Sequence, residues 1–301
     1  MTDKLIKIGE LQQDTPQNHV RASNTKFCII LNHTKIGTQY VRTFNYEEKR
    51  EYEPDTEFNV TLQFKKDGSS YWKVETGGDI KDEQHKLDYD ALNSFLNGTT
   101  NKDVIILIRD PYERFISAFN QDFIKPLWNF NNDSLYFLGL SILPKDKETE
   151  KLYNWWLRNR RMVQEYCIPT GDNKINVLDE NYMECISIII KSFIYSWKEA
   201  HFPLDYKHNN FYHATIVSML FNNKNKYKIF DIDNTDMNDI FSKYLVGNKT
   251  LGKPNESNYT KQIITNVFEK DNELKQYVLF GLNSEQMAYN SLKQISKLQN
   301  D

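Results

Sequence analysis

The sequence predicts an α/β fold of three layers with a mostly parallel central sheet. Short apolar runs at residues 26–32 and 103–108 are typical of strands that are buried on both faces. Each run leads through a turn into a segment of helical periodicity, and this alternation indicates βαβ units. Residues 58–75 instead alternate apolar and polar residues around a turn at 66–69, which predicts a β-hairpin, either inserted or at an antiparallel edge.

The remaining elements follow from local periodicity and turn residues. Residues 1–24 are polar without clear periodicity and are predicted to be an N-terminal lead-in, whereas no linker or repeat divides residues 25–301, which are predicted to form a single domain. Two further strands are predicted over residues 175–178 and 226–231. Helices are predicted over residues 38–49, 87–96, from Pro111 onward, 147–166, 181–197, 237–244, 258–268, 273–279 and 284–298.

Composition and charge exclude several classes of protein. The 301 residues carry 38 Lys and Arg against 41 Asp and Glu, so there is no overall basic field for nucleic acid. The three cysteines are odd in number and far apart, which argues against a disulfide framework or a zinc site and favours a reducing compartment. The longest apolar runs are too short to cross a bilayer, and the first residues lack a signal sequence. We therefore expect a cytoplasmic protein that binds neither nucleic acid nor membrane.

The first candidate site follows the strand at 26–32, in the sequence Asn-His-Thr-Lys-Ile-Gly-Thr-Gln. Ligands of α/β sheets bind at the carboxyl ends of parallel strands. Gly37 permits close approach of the backbone, the amides of the next helix favour an anion, and Lys35 and Thr38 add a charge and a hydroxyl. A phosphate cradle and an ordinary strand–helix turn both fit these residues. The Walker A pattern is absent.

The second candidate site follows the strand at 103–108, in the sequence Arg-Asp-Pro-Tyr-Glu-Arg-Phe-Ile-Ser. Pro111 suits the first turn of a helix. The guanidinium of Arg109 would pair with a ligand phosphate, and the hydroxyl of Ser117 would return toward the same group. The alternative interpretation is a capped helix with a surface arginine, in which Glu113 and Arg114 are solvated.

These two loops resemble the sulfotransferases that use 3′-phosphoadenosine 5′-phosphosulfate (PAPS). The second loop is similar to their 3′-phosphate motif, which in the carbohydrate sulfotransferase branch reads Arg-Asp-Pro-x-x-Arg-x-x-Ser. The first resembles their 5′-phosphosulfate loop, although Ile36 and Gln39 replace hydroxyl residues that are common there. Residues 200–204 and 253–258 resemble two later family segments, so the likeness covers roughly residues 25–280. It implies a P-loop-like, sulfotransferase-like domain.

The resemblance implies in-line transfer of a sulfuryl group from PAPS to a hydroxyl or amine of a small molecule or a glycan, which releases 3′-phosphoadenosine 5′-phosphate (PAP). No metal is needed. Lys35 would stabilise charge on the bridging oxygen. Arg109 and Ser117 would hold the 3′-phosphate. The other residues that the resemblance assigns to the cofactor are Gly37, Thr38, Gln39, Asn255 and Ser257.

The general base stays open at this stage. His201 matches a family segment, where its role could also be structural. Glu75 and His85 are further candidates, and for both of them solvent exposure is the competing interpretation. His33 adjoins the first loop and could instead cap it.

Two other functions compete with sulfuryl transfer. One is a kinase-like phosphoryl-transfer enzyme, against which stand the missing Walker A residues and the lack of an obvious magnesium-binding aspartate. The other is a nucleotide-binding or PAP-binding protein without catalysis, which Ile36 and Gln39 favour. A basic cluster at Arg158, Arg160 and Arg161 could bind an anionic glycan or could be a solvated helix face.

Overall fold

A computed structural model of the chain describes residues 19–33, 36, 41, 58–76, 83–119, 212–221, 223–241 and 258–300. The predicted elements at 38–49, 147–166, 175–178 and 181–197 lie outside these residues, apart from Val41. The elements of the described residues, in chain order, are β1 (His19–Asn24), β2 (Cys28–Asn32), β3 (Phe58–Phe64), β4 (Ser70–Thr76), α1 (Glu83–Leu96), β5 (Asp103–Ile108), α2 (Pro111–Phe119), α3 (Tyr212–Leu220), β6 (Tyr227–Asp231), α4 (Met237–Phe241), α5 (Asn258–Lys270), α6 (Asn272–Gly281) and α7 (Asn283–Asn300).

The chain divides into two compact units. The sheet unit contains all six strands, α1, the first half of α2 up to Phe115, α3, α4 and α7. The helical unit contains the second half of α2 from Ile116, together with α5 and α6. The single domain over residues 25–301 stays a prediction.

The sheet unit is built on a six-stranded mixed sheet with the strand order β4-β3-β1-β2-β5-β6. The strands β2, β5 and β6 are parallel to one another, whereas β1, β3 and β4 are joined by antiparallel pairings. All of β2 is buried, as is β5 after its first residue, which is why both read as continuous apolar runs. The α/β class predicted from sequence is confirmed.

Strand β1 departs from the prediction of a polar lead-in. Residues His19–Asn24 pair with β2 on one side and with β3 on the other, so this strand lies inside the sheet. Val20 and Ala22 are buried, and so is Ser23, whose polar side chain obscures the alternation in the sequence. The strand is defined by backbone pairing with two neighbours, which local composition does not reveal.

The predicted hairpin forms the antiparallel edge of the sheet. Strands β3 and β4 pair from Phe58 with Thr76 to Phe64 with Ser70. The turn closes with Gly68 at a φ of 82°, a left-handed conformation that glycine adopts without strain. Asp67 accepts hydrogen bonds from the Ser69 backbone N–H (2.9 Å) and hydroxyl (2.6 Å), and these bonds lower the pKa of Asp67.

Helix α1 packs against the antiparallel part of the sheet and begins four residues before the predicted start. Its buried Asp88 accepts a hydrogen bond from the Asn24 N–H at 2.7 Å, which ties the helix to the end of β1. The helix ends at Leu96, as predicted, and Gly98 follows it with a φ of 70°. The N–H groups of Gly98 and Thr99 form a Schellman cap on the carbonyls of Phe95 and Ser94.

Helix α3 was not predicted. It buries Tyr212, Ile216 and Met219 and packs against α7, which in turn packs against β6. Helix α7 begins and ends within two residues of the predicted terminal helix. Both helices place polar side chains at the end of the sheet described below.

In the helical unit, α5 and α6 pack against each other around Asp271. The Asp271 carboxylate accepts a hydrogen bond from the Leu274 N–H at 3.0 Å, so it caps the start of α6. The buried residues Ile264, Val267 and Phe268 of α5 and Leu274 and Val278 of α6 form the apolar faces of these helices. Among the described residues of the whole chain, no helix combines the length and apolar character needed to cross a membrane.

Candidate functional site

The candidate site lies where the three parallel strands end. Because β2, β5 and β6 run in the same direction, the segments that follow them begin at one edge of the sheet. His33 directly follows β2, Arg109 directly follows β5, and Asp233 lies two residues after β6. The ladder extends one step further, since the Ile232 N–H donates to the Ile108 carbonyl at 3.0 Å. Both candidate loops identified from the sequence therefore begin at this edge of the sheet.

The loop after β2 starts with a tight turn. The Ile36 N–H donates to the His33 carbonyl at 2.9 Å, which brings these two backbone positions together just after β2. The side chain of Ile36 is completely buried in the hydrophobic core. This position, where the sulfotransferase loop usually has a hydroxyl, therefore faces the core in this chain, so its apolar residue is explained by packing.

Introducing a hydroxyl at this position is expected to weaken the fold. Ile36→Thr should lower the free energy of unfolding by about 2 kcal/mol, because it removes buried hydrocarbon and buries a hydroxyl. Ile36→Val is the matched control, with an expected loss of about 1 kcal/mol. Urea unfolding of both variants measures the difference. A threonine variant as stable as the wild type would contradict the core placement.

Arg114 joins the two loops. Its side chain is only 2% exposed, and Nη2 lies 2.8 Å from Nδ1 of His33, which is also buried. An arginine can only donate, so Nδ1 of His33 is the acceptor and the ring proton of a neutral His33 lies on Nε2. The alternative in which Arg114 is solvated is therefore wrong. The motif after β5 is bonded directly to the loop after β2.

Glu285 of α7 is the anion at the centre of this network. Its carboxylate accepts hydrogen bonds from Nδ1 of His213 at 2.7 Å and from the backbone N–H groups of His213 and Ala214, both at 2.9 Å. Nη1 of Arg114 lies 3.9 Å away. Burial would raise the pKa of Glu285, but His213, Arg114 and the Ala214 N–H outweigh burial and lower it. The carboxylate thus caps α3 and balances a buried guanidinium.

His213 connects Glu285 to the backbone of the second loop. While Nδ1 bonds to Glu285, Nε2 accepts a long hydrogen bond of 3.5 Å from the Arg109 N–H. A carboxylate–histidine pair of this kind is common among general bases. Here the imidazole is completely buried, so we interpret the pair as support for the backbone at Arg109.

Tyr212 fixes the ends of the two central parallel strands. Its hydroxyl lies 3.2 Å from the Leu31 carbonyl and 2.9 Å from the Leu107 carbonyl, so it can donate to either strand. Burial raises the pKa of this tyrosine, which keeps the hydroxyl protonated as a donor. Helix α3 thereby holds β2 and β5 together at the end from which both loops begin.

Arg109 carries the partly exposed guanidinium of the site, with 16% of its side chain exposed. Nε donates to Oδ1 of Asp233 at 3.2 Å, and the Asp110 N–H donates to Oδ2 of the same carboxylate at 3.2 Å. Asp110 in turn caps α2, because its Oδ1 accepts from the N–H groups of Tyr112 (2.9 Å) and Glu113 (3.2 Å). Burial raises the pKa of Asp233, although Arg109 and the Asp110 N–H oppose that shift.

Asp231, the last residue of β6, is held by α7. Its Oδ2 accepts from the Tyr289 hydroxyl at 2.8 Å and lies 3.4 Å from Nζ of Lys293. Burial and the bond to Asp231 raise the pKa of Tyr289. The carboxyl end of β6 is therefore fixed to the same helix that supplies Glu285.

Two of the proposed bases belong to the antiparallel part of the sheet, to one side of the two loops, although the strand register places Glu75 and Phe58 at the same end of the sheet as those loops. Glu75 lies on β4, four strands from β5 or roughly 19 Å at the usual strand spacing, and pairs with Lys73 on the same strand. His85 lies on α1, is 2% exposed, and packs with its ring 5.8 Å from that of Phe58 on β3. The interpretation of His85 as a solvent-exposed residue is wrong.

Ser117 is half-buried on the part of α2 that belongs to the helical unit. The other residues predicted for the site lie outside the described residues and stay predictions; they are Lys35, Gly37, Thr38, Gln39, His201, Asn255 and Ser257, together with the basic cluster Arg158, Arg160 and Arg161.

Sequence reasoning missed most of the supporting network. Glu285, His213 and Asp233 carry no local pattern that marks them, and His213 and Tyr212 lie on the unpredicted α3. Within the described residues, no group of three or more His, Cys, Asp or Glu side chains is arranged to hold a metal ion.

No protein-family model, curated protein or solved structure matches this chain.

Proposed function

We propose that the protein is a PAPS-dependent sulfotransferase. The observation that carries the proposal is the position of the motif that begins at Arg109. It starts at the carboxyl end of the buried parallel strand β5, beside the loop after β2, and the bond between Arg114 and His33 links the two. In this proposal the sheet is the centre of a three-layer, P-loop-like fold, to which the edge hairpin is an inserted addition.

Arg109 is the residue of this edge that the proposal assigns to a phosphate group. A bidentate contact to phosphate uses two of the five N–H groups of a guanidinium. Asp233 accepts from Nε of Arg109, and in the proposal the same guanidinium also binds the phosphate. The neighbouring carboxylates of Asp110 and Asp233 are each bonded to backbone N–H groups, which disperses part of their charge. Arg109 would therefore bind the 3′-phosphate, the group that distinguishes PAPS from AMP and ATP.

In the proposed reaction, the protein positions the reactants and neutralises charge during in-line sulfuryl transfer to a hydroxyl or amine acceptor. Lys35, which follows β2 in the sequence, would neutralise the charge that develops on the bridging oxygen. The acceptor would be a small molecule or a glycan. His201 stays the candidate general base that the resemblance supplies.

Calorimetric titration with PAP, AMP and ATP plus magnesium tests the proposal. We expect PAP to bind about 10- to 100-fold more tightly than AMP, because bonds between a guanidinium and a phosphate contribute about 1.5–3 kcal/mol. Arg109→Ala should reduce PAP affinity to that of AMP. Arg109→Lys, which keeps the charge but not the bidentate geometry, should fall between the two.

Lys66→Ala is the matched control, since it removes one exposed positive charge from the turn of the distant hairpin. PAP at about 100 times its dissociation constant should also stabilise the wild type by about 2.7 kcal/mol, which a thermal melt detects. Equal affinities for PAP and AMP would refute the proposal. Preference for ATP with magnesium would favour a kinase-like enzyme instead. PAP binding without transfer of labelled sulfuryl from PAPS to any hydroxyl or amine acceptor would indicate a binding protein.

A further inference from the structure

Asp233 contacts the second loop at two points that differ in kind. One oxygen accepts from the side chain of Arg109 and the other accepts from the backbone of Asp110, each at 3.2 Å. The carboxylate therefore spans the junction between β5 and α2. A surface ion pair that merely balances charge would not need the second, backbone contact.

The turn that carries Asp233 is itself anchored. The Ile232 N–H extends the pairing of β6 with β5 by one step at 3.0 Å, and the Asp233 N–H donates to Oδ1 of Asp231 at 3.2 Å. The side chain of Asn234 donates to Oδ2 of the same Asp231 at 2.5 Å. Asp231 in turn accepts from Tyr289 of α7. The acceptor for Arg109 is thus fixed to the sheet and to the terminal helix.

A fixed acceptor at Nε restricts a side chain that otherwise has many rotamers. The loss of this freedom before a ligand arrives lowers the entropic cost of binding. It also fixes the plane of the guanidinium through Nε. The opposing effect is repulsion between the Asp233 carboxylate and a phosphate on the far side of Arg109. Orientation and repulsion predict opposite results when the carboxylate is removed.

We propose that Asp233 is a positioning residue that orients the Arg109 guanidinium toward the 3′-phosphate of the nucleotide. The inference rests on the proposed function and adds to it a residue outside both sequence motifs. Asp233 does not touch the ligand in this arrangement. Its effect should therefore be confined to ligands that carry a 3′-phosphate, which a purely structural role would not produce.

The test compares PAP and AMP affinities of Asp233→Ala and Asp233→Asn by calorimetry on the full chain. We expect Asp233→Ala to weaken PAP binding about tenfold, at the low end of what loss of a supporting partner costs in metal sites, with AMP affinity unchanged. Asp233→Asn should restore most of the PAP affinity, because its side-chain carbonyl still accepts from Nε. Asp90→Ala, which removes an exposed carboxylate from α1, is the control and should change neither affinity.

Three results would overturn the inference. Tighter PAP binding by Asp233→Ala would mean that repulsion dominates. Equal weakening of PAP and AMP, accompanied by a lower melting temperature that asparagine does not rescue, would mean a structural role. A wild type without preference for PAP over AMP would overturn the proposed function together with this inference, whereas the first two results leave the proposed function standing.

Discussion

Replacing Glu285 with alanine is expected to lower the free energy of unfolding by about 3–5 kcal/mol, the usual consequence of removing one partner from a buried ionic network. The carboxylate is 4% exposed and accepts hydrogen bonds from His213 and from two amides of α3, with Arg114 nearby. The variant leaves a buried guanidinium without its anion and α3 without its cap. Urea unfolding, followed by circular dichroism, measures the loss.

The control is Glu269→Ala, which removes an exposed carboxylate from the end of α5 and should change stability by less than about 0.5 kcal/mol. Glu285 also predicts a pH dependence. The pKa of Glu285 is lower in the folded protein than in the unfolded chain. Its contribution to stability is therefore complete above the unfolded pKa of about 4.3 and is lost as the pH falls through the folded pKa. Glu285→Gln should remove that part of the acid destabilisation. An alanine variant with wild-type stability would refute the proposed network.

The second large effect is expected for Arg114→Met, which should lower the free energy of unfolding by about 3 kcal/mol. The effect is smaller than for Glu285, since the closest contact of Arg114 is the 2.8 Å bond to His33 and Glu285 keeps its bonds to His213 and Ala214. Methionine fills a similar volume, so the loss reports the missing charge and hydrogen bond.

A double variant tests whether the two charges act together. Arg114→Met combined with Glu285→Gln should cost less than the two single variants added together, because neither buried charge then lacks its counter-charge. Lys86→Met on the exposed face of α1 is the control for adding methionine and removing a charge. Strict additivity of the two losses would show that Arg114 and Glu285 do not interact.

The sequence alone determined the elements whose signals are local. Strand β5 has the predicted bounds, because a continuous apolar run that ends at Arg-Asp-Pro is typical of a buried strand followed by a helix. The hairpin turn at Gly68 and the cap of α1 at Gly98 also have the predicted places, since a left-handed backbone favours glycine. The sequence likewise predicted that the loops after β2 and β5 begin at one edge of the sheet.

Only the tertiary structure decided the state of the polar residues at that edge. Arg114 could be solvated by local criteria, and it is buried because Glu285 and His33 approach it from distant parts of the chain. Strand β1 and helix α3 were missed because their partners are also distant in sequence. Backbone pairing with β2 and β3 defines strand β1, and helix α3 packs against α7. Charge compensation and strand pairing depend on which segments meet, and a local window of sequence contains neither partner.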